Sequence, residues 1–301
     1  MEERQVDGCA LDFKEAAIAD DEVEALLVPE GEEDDETDDE DEPLSPSSPD
    51  IGIATRLRRA AIILGSSGKP LFAVREVEGW KTRGRDFAGT QPTFKPQGSV
   101  NHHTAGAPPS AGNAPSLGII VNGRGGTRPL PGPLSQVLQA YDDTAIVCAA
   151  GVANHAGSGG WQGLDDNFEV YGLEVEHPGT SLVAQKRVNV MAAIHAAFLW
   201  RPTAPDIPVK MLCQHREWSD EGKVDFAKNF STKAQADAFR ALVKQRLVTL
   251  NQINTWAVNF VKPDGKRTEP PFPRTKDPDG WINGHMPAMR RGKVIFIPVR
   301  G

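Results

Sequence analysis

The chain has 301 residues, a quarter of them charged, and a net charge of −8. That length suits one ordinary domain with appendages, and no apolar run approaches the ~20 residues needed to span a bilayer. Cys9, Cys148 and Cys213 are odd in number and far apart, which excludes a disulfide framework or a thiolate metal site.

The charge is unevenly spread. Residues 1–50 hold 21 acidic and two basic residues, a net of −19, which leaves +11 on the remainder. From Glu32 to Glu42 every position except Thr37 is acidic, and a Pro/Ser stretch follows at 43–49. Like charges repel and prolines block regular structure, so residues 1–50 are expected to be a disordered acidic segment, with a short helix around Phe13–Leu27. The opening Met1-Glu2-Glu3-Arg4 has no apolar signal core. Synthesis in a bacterial cytoplasm without a signal peptide is the corresponding expectation.

Residues 51–92 form a lead-in. Arg56–Leu64 suits a helix or a strand, and Gly65–Gly68 reads as a turn. From about residue 93 to 250 the pattern is α/β. Gly98–Asn101 ends a strand that delivers His102, and Leu117–Val121 is a candidate buried strand. Gly123–Gly132 is a turn region, Leu134–Tyr141 suits a short helix, and Thr144–Ala150 suits a second buried strand. Val170–Glu176 alternates, with Tyr171, Leu173 and Val175 on one face and Gly172, Glu174 and Glu176 on the other. Ser181–Trp200 is a long helix with an apolar face of Val183, Val190, Met191, Ile194 and Phe198. Val209–Cys213 is a short strand leading to His215, and Ser231–Leu250 is a helix with Ser231 as N-cap. Residues 251–301 form a basic, Pro-rich tail. The expected fold is α/β, a mixed central sheet flanked by helices.

The chemistry concentrates in Gln214–Asp225, where His215, Lys223 and Asp225 stand at offsets 0, +8 and +10. A further imidazole comes from His102 or His103. These neighbours point to opposite faces of a strand, so one of them faces the others. Two imidazoles and a carboxylate make an open, three-ligand zinc site, with the fourth position left to water. Lys223 would add positive charge for an oxyanion. Glu174 and Glu176 share a strand face, and either could act as a general base. His155 lies in a loop of small residues, 154–161, whose glycines admit close approach, and it is expected to contact substrate.

Taken in order, His102–Gly106, Asn154–Gly157, Tyr171–Glu176 and the block His215, Lys223, Asp225 resemble the type-2 N-acetylmuramoyl-L-alanine amidases. That superfamily includes phage lysozyme-like amidases, cytosolic muropeptide-recycling amidases and peptidoglycan recognition proteins. The resemblance covers roughly residues 93–250. It implies zinc on His102, His215 and Asp225, Glu174 as the base, and Lys223 as the electrophilic helper. The chain departs from the family in having Phe226 where Pro often follows the third ligand. Some members use a tyrosine in place of the glutamate, and Tyr171 lies three residues from Glu174.

The implied activity is hydrolysis of the amide between N-acetylmuramic acid and L-Ala, by a monomeric phage endolysin acting on the cell wall. A recycling amidase and a recognition module that binds peptidoglycan without cutting it are the alternatives. A basic body suits an anionic wall. No basic patch interleaved with aromatics points to a nucleic-acid partner.

Overall fold

The computed structural model describes residues 52–66, 69–88, 93–127, 129–201, 204–226, 228–261, 272–275 and 293–300. The acidic segment, with the helix expected around Phe13–Leu27, lies outside the described residues. In chain order the main elements are α1 (Ile53–Ile63), β1 (Val74–Glu76), β2 (Gly98–His103), α2 (Leu117–Asn122), β3 (Gly123–Arg124), β4 (Leu130–Pro131), β5 (Val137–Gln139) and β6 (Ala145–Val147). They continue with β7 (Val170–Val175), α3 (Gln185–Leu199), β8 (Leu212–Gln214), α4 (His215–Trp218), α5 (Lys233–Gln252), β9 (Ile253–Val261), β10 (Phe272–Thr275) and β11 (Lys293–Arg300).

Six strands form the central sheet, in the order β1-β6-β5-β7-β2-β8. All neighbours are parallel except β5 and β6, so the sheet is mixed, as the sequence pattern implied. One face carries the main core. Ile53, Ala54, Leu57, Ala60 and Ala61 recur at helical spacing on α1 and are buried, which settles that run as a helix. Ala236, Phe239, Val243, Leu247 and Leu250 do the same on α5. Between them α3 is buried on all sides from Val190 to Leu199, the pattern of a helix enclosed by a sheet and other helices. The other face is covered by α2, the β3–β4 hairpin, long loops and α4, and two smaller apolar clusters lie beneath them. The tail carries β9, which pairs antiparallel with β10 and β11.

Four local expectations are corrected. Leu117–Val121 is the helix α2, with Ile120 buried and Ile119 52% exposed. A short apolar run suits strand or helix equally by periodicity. Here the Glu176 carboxylate holds the backbone N–H and hydroxyl of Ser116 at 2.7 and 2.9 Å, pinning the helix start above the sheet. Leu134–Tyr141 is not a helix but contains the central strand β5. Two buried polar residues just before the strand find partners: Ser135 donates to the Gly172 carbonyl (2.7 Å), and Gln136 accepts from Gly172 N (2.6 Å) and donates to the Gly151 carbonyl (3.0 Å).

The strand expected at Val209–Cys213 begins later. A 3-10 turn occupies Val209–Met211, and β8 follows. The cap of α5 is Thr232, one residue after Ser231. Thr232 Oγ1 accepts from Gln235 N (3.3 Å), and Gln235 Oε1 accepts from Thr232 N (3.1 Å), so the two residues cap reciprocally. Among the described residues no helix is long and apolar enough to cross a membrane.

Candidate active site

Because β7, β2 and β8 run parallel, their carboxyl ends lie together at one rim of the sheet, where open α/β sheets place ligands. His102 sits near the end of β2, Glu174 is its register partner on β7, and His215 follows β8 directly. Alternation along β2 separates the two adjacent histidines. Ser99 and Asn101 face α3, where both touch His195, so His102 faces the opposite side. His103 joins a packed group with Phe226 (ring centroids 5.1 Å) and His177 (6.2 Å).

Asp225 is brought back to His215 by a closed loop, in which Arg216 N donates to the Asp225 carbonyl at 2.7 Å. The 154–161 loop is stitched to it. Gly160 N donates to the Trp218 carbonyl (2.8 Å) and Asp220 N to the Ser158 carbonyl (3.2 Å). Phe226 is fully buried next to Asp225, and the peptide bond between them is cis.

His102, His215 and Asp225 offer donor atoms that all lie within 4.8 Å of one another. Asp225 Oδ2 is 2.8 Å from His215 Nδ1 and 3.4 Å from His102 Nδ1. The hydrogen bonds behind these atoms set the tautomers. His215 Nε2 is 3.1 Å from the Ala156 carbonyl, which can only accept, so Nε2 carries the proton. His155 Nε2 likewise donates to the Val170 carbonyl (3.2 Å), leaving His155 Nδ1 as an acceptor for the Nε2–H of His102 (3.1 Å). Both Nδ1 lone pairs therefore face the Asp225 carboxylate.

Burial, then the neighbouring His215, pushes His102 down to about 4, and burial, then His102, pushes His155 well below its ordinary value. Burial raises Asp225, and the imidazoles beside it lower it below the usual carboxylate range only where they turn a proton toward it. Three acceptor atoms converge, and a proton or a metal cation among them would offset their repulsion. The residues thus fit a metal ion, with a support behind each imidazole of the kind that orients metal-bound histidines.

His155, expected to touch substrate, has both ring nitrogens engaged in this support. Gly172 makes room for it, since a side chain there would begin 2.8 Å from the ring. Asn167 Oδ1 fixes its loop by accepting from His155 N (3.0 Å) and Ala156 N (2.9 Å). Lys223 lies in the Asp225 loop, its side chain 39% exposed and its Nζ 3.3 Å from Glu221.

The two candidate bases part company. Glu176 is fully buried and accepts from Ser116 and from Thr104 Oγ1 (3.1 Å), so it fastens loops. Glu174 has an enclosed Oε2 with no hydrogen-bond partner. Burial, then Asp225 and Glu176, raises its pKa well above the ordinary range. Tyr171 points to the other face, stacked on Phe198 with its hydroxyl bonded to Arg56 at 2.5 Å.

A carboxyl with a raised folded pKa binds more protons folded than unfolded. It therefore costs stability as pH rises from its unfolded value, near 4.5, toward the folded one. In chelator-treated protein, Glu174→Gln is expected to melt above wild type at pH 8, with the gap closing near pH 4.5. Melting curves across that range check this, and a gap that does not change with pH would contradict it.

Sequence reading missed the anchors of β8 and α4. Gln214 and Glu217 form a capping box, and Arg240 on α5 grips both Glu217 oxygens at 2.8 Å while bonding the Leu212 carbonyl (3.1 Å). It also missed Asn101 and Gln214 as a pair, although an amide residue stands directly before each of His102 and His215.

No protein-family model matches the chain, and no curated protein matches it. Among solved structures it is similar to a selenomethionine derivative of AmpD (18% identity, TM-score 0.40), over 55% of this chain and 93% of that one. It is also similar to the PlyG catalytic domain in solution (14%, 0.40; 59% and 96%) and to a mutant endolysin from Bacillus subtilis (17%, 0.37; 57% and 99%). Likeness at this level says nothing of activity, which has to be read from the residues.

Proposed function

We propose that the chain is a zinc-dependent N-acetylmuramoyl-L-alanine amidase, which hydrolyses the amide between N-acetylmuramic acid and the L-Ala of the stem peptide as a phage endolysin. One observation carries this: Nδ1 of His102, Nδ1 of His215 and Oδ2 of Asp225 converge at one sheet rim, with the enclosed, unpartnered Oε2 of Glu174 on the adjoining strand. The order of the four sequence blocks supports the substrate class.

Zinc on His102, His215 and Asp225 would supply Lewis acidity, polarising a carbonyl oxygen and acidifying water. Glu174, whose carboxyl is raised above the ordinary range by burial, takes the proton of the attacking water and passes it to the leaving amine. Lys223 offers the oxyanion a positive charge from the Asp225 loop. His155 and the Ala156 carbonyl keep the two imidazoles in the tautomers that present Nδ1.

The test is incubation with purified peptidoglycan, followed by assay of new L-Ala N-termini. They should appear with zinc and vanish with a chelator. New reducing ends would mean a glycosidase. Binding without any cleavage would leave a recognition module and end the amidase reading.

A further inference from the structure

Beneath the proposed metal site, on the α3 side of the sheet, lies a buried polar chain that none of the chemistry above uses. Ser99 Oγ is 3.1 Å from His195 Nδ1, His195 Nε2 is 3.2 Å from Asn101 Oδ1, and Asn101 Nδ2 is 2.8 Å from Gln214 Oε1. All four residues are fully buried.

The direction of the chain is forced. The Gln214 side chain accepts from the backbone N–H of Glu217 in the capping box, so its oxygen must face that way. Asn101 must then present its amide nitrogen to Gln214 and its oxygen to His195. That requires a proton on His195 Nε2 and leaves Nδ1 to accept from the Ser99 hydroxyl. Asn101 and Gln214 are register partners on β2 and β8, and the residues that follow them directly are His102 and His215.

We infer that His195 is a positioning residue for the two candidate ligand histidines. A single imidazole on α3 fixes both amides, which lock the last rung between the strands that deliver His102 and His215. This rests on the reading that His102, His215 and Asp225 hold a metal, and it adds a part of the molecule that never touches the metal. Partly satisfied buried networks cost more than none, so one wrong link disturbs the whole rung.

The experiment titrates metal-free full-length protein with Co2+, following visible absorption, and measures Zn2+ affinity by competition with a chelating dye. Wild type should bind one ion. His195→Leu should bind at least tenfold more weakly or with an altered cobalt spectrum. His195→Gln, which keeps a donor toward Asn101, should recover most of the loss. Val190→Ala, a truncation on the same buried helix, should lower Tm and leave the spectrum and affinity as in wild type.

Equal weakening in Val190→Ala at the same drop in Tm would show general loosening and overturn the inference, as would wild-type binding by His195→Leu. If His195→Leu fails to fold, Ser99→Ala removes the donor to His195 Nδ1, loosens the ring and should weaken binding severalfold; unchanged binding there overturns the inference too. Absence of cobalt binding by wild type would instead bring down the metal reading itself.

Discussion

Replacing His102, His215 or Asp225 with Ala is expected to remove bound zinc and cut amide hydrolysis on the order of a thousandfold or more, since Lewis-acid stabilisation is worth several kcal/mol and about 1.4 kcal/mol is tenfold. The three donors share one small volume, with Asp225 Oδ2 reaching both imidazoles, so no remaining pair can substitute for the third. His103→Ala is the informative control. Its ring packs on Phe226 on the far face, so metal content should persist while stability falls. Metal analysis and lysis assays on the four variants decide the matter. Full zinc occupancy in His102→Ala, or its loss in His103→Ala alone, would reverse the assignment.

Glu174→Gln should retain zinc and the fold yet lose turnover by about 10²–10⁴, the usual worth of a positioned acid–base group. Lys223→Ala should lose on the order of a hundredfold, as expected for one oxyanion contact. Glu176→Gln should behave differently. It weakens the bonds to Ser116 and Thr104, so the loss falls on stability, about 1–3 kcal/mol for a disturbed buried acceptor. Single-turnover rates and melting curves separate the two carboxylates. Normal lysis by Glu174→Gln alongside inactivity of a well-folded Glu176→Gln would exchange their roles.

What could be read from the sequence was whatever lies in spacing or strong periodicity. The offsets from His215 to Asp225 are a property of one closed loop, and α3 and α5 carry long apolar patterns. Strand alternation was enough to say that only one of His102 and His103 could serve. Short elements were opaque. Ser135, Gln136 and Gln139 suit one face of a short helix, yet they are buried in and just before β5, where Gly151 and Gly172 backbone groups bond the first two and Asp143 accepts from Gln139 Nε2. Strand alternation alone left Glu174 and Glu176 equivalent, and only the family resemblance favoured Glu174, because what separates them physically is Ser116 lying above the sheet. The supports behind the imidazoles are carbonyls and side chains from remote segments, and no local pattern records them.

The pairing of β2 with β8 also bears on when the ion can enter. Donors come from residues 102, 215 and 225, and their supports from 155 and 156. Such contacts are distant along the chain, so closing them carries a loop-closure cost that slows folding. During synthesis no complete set of ligands exists until Asp225 has left the ribosome and β8 has docked. On the proposed zinc reading, metal loading would follow folding, and the ion would not template the domain as it does in zinc fingers. The core of α1, α3 and α5 has to stand without it. On the same reading, zinc starvation would leave a cell with a folded protein that gains activity only when metal returns.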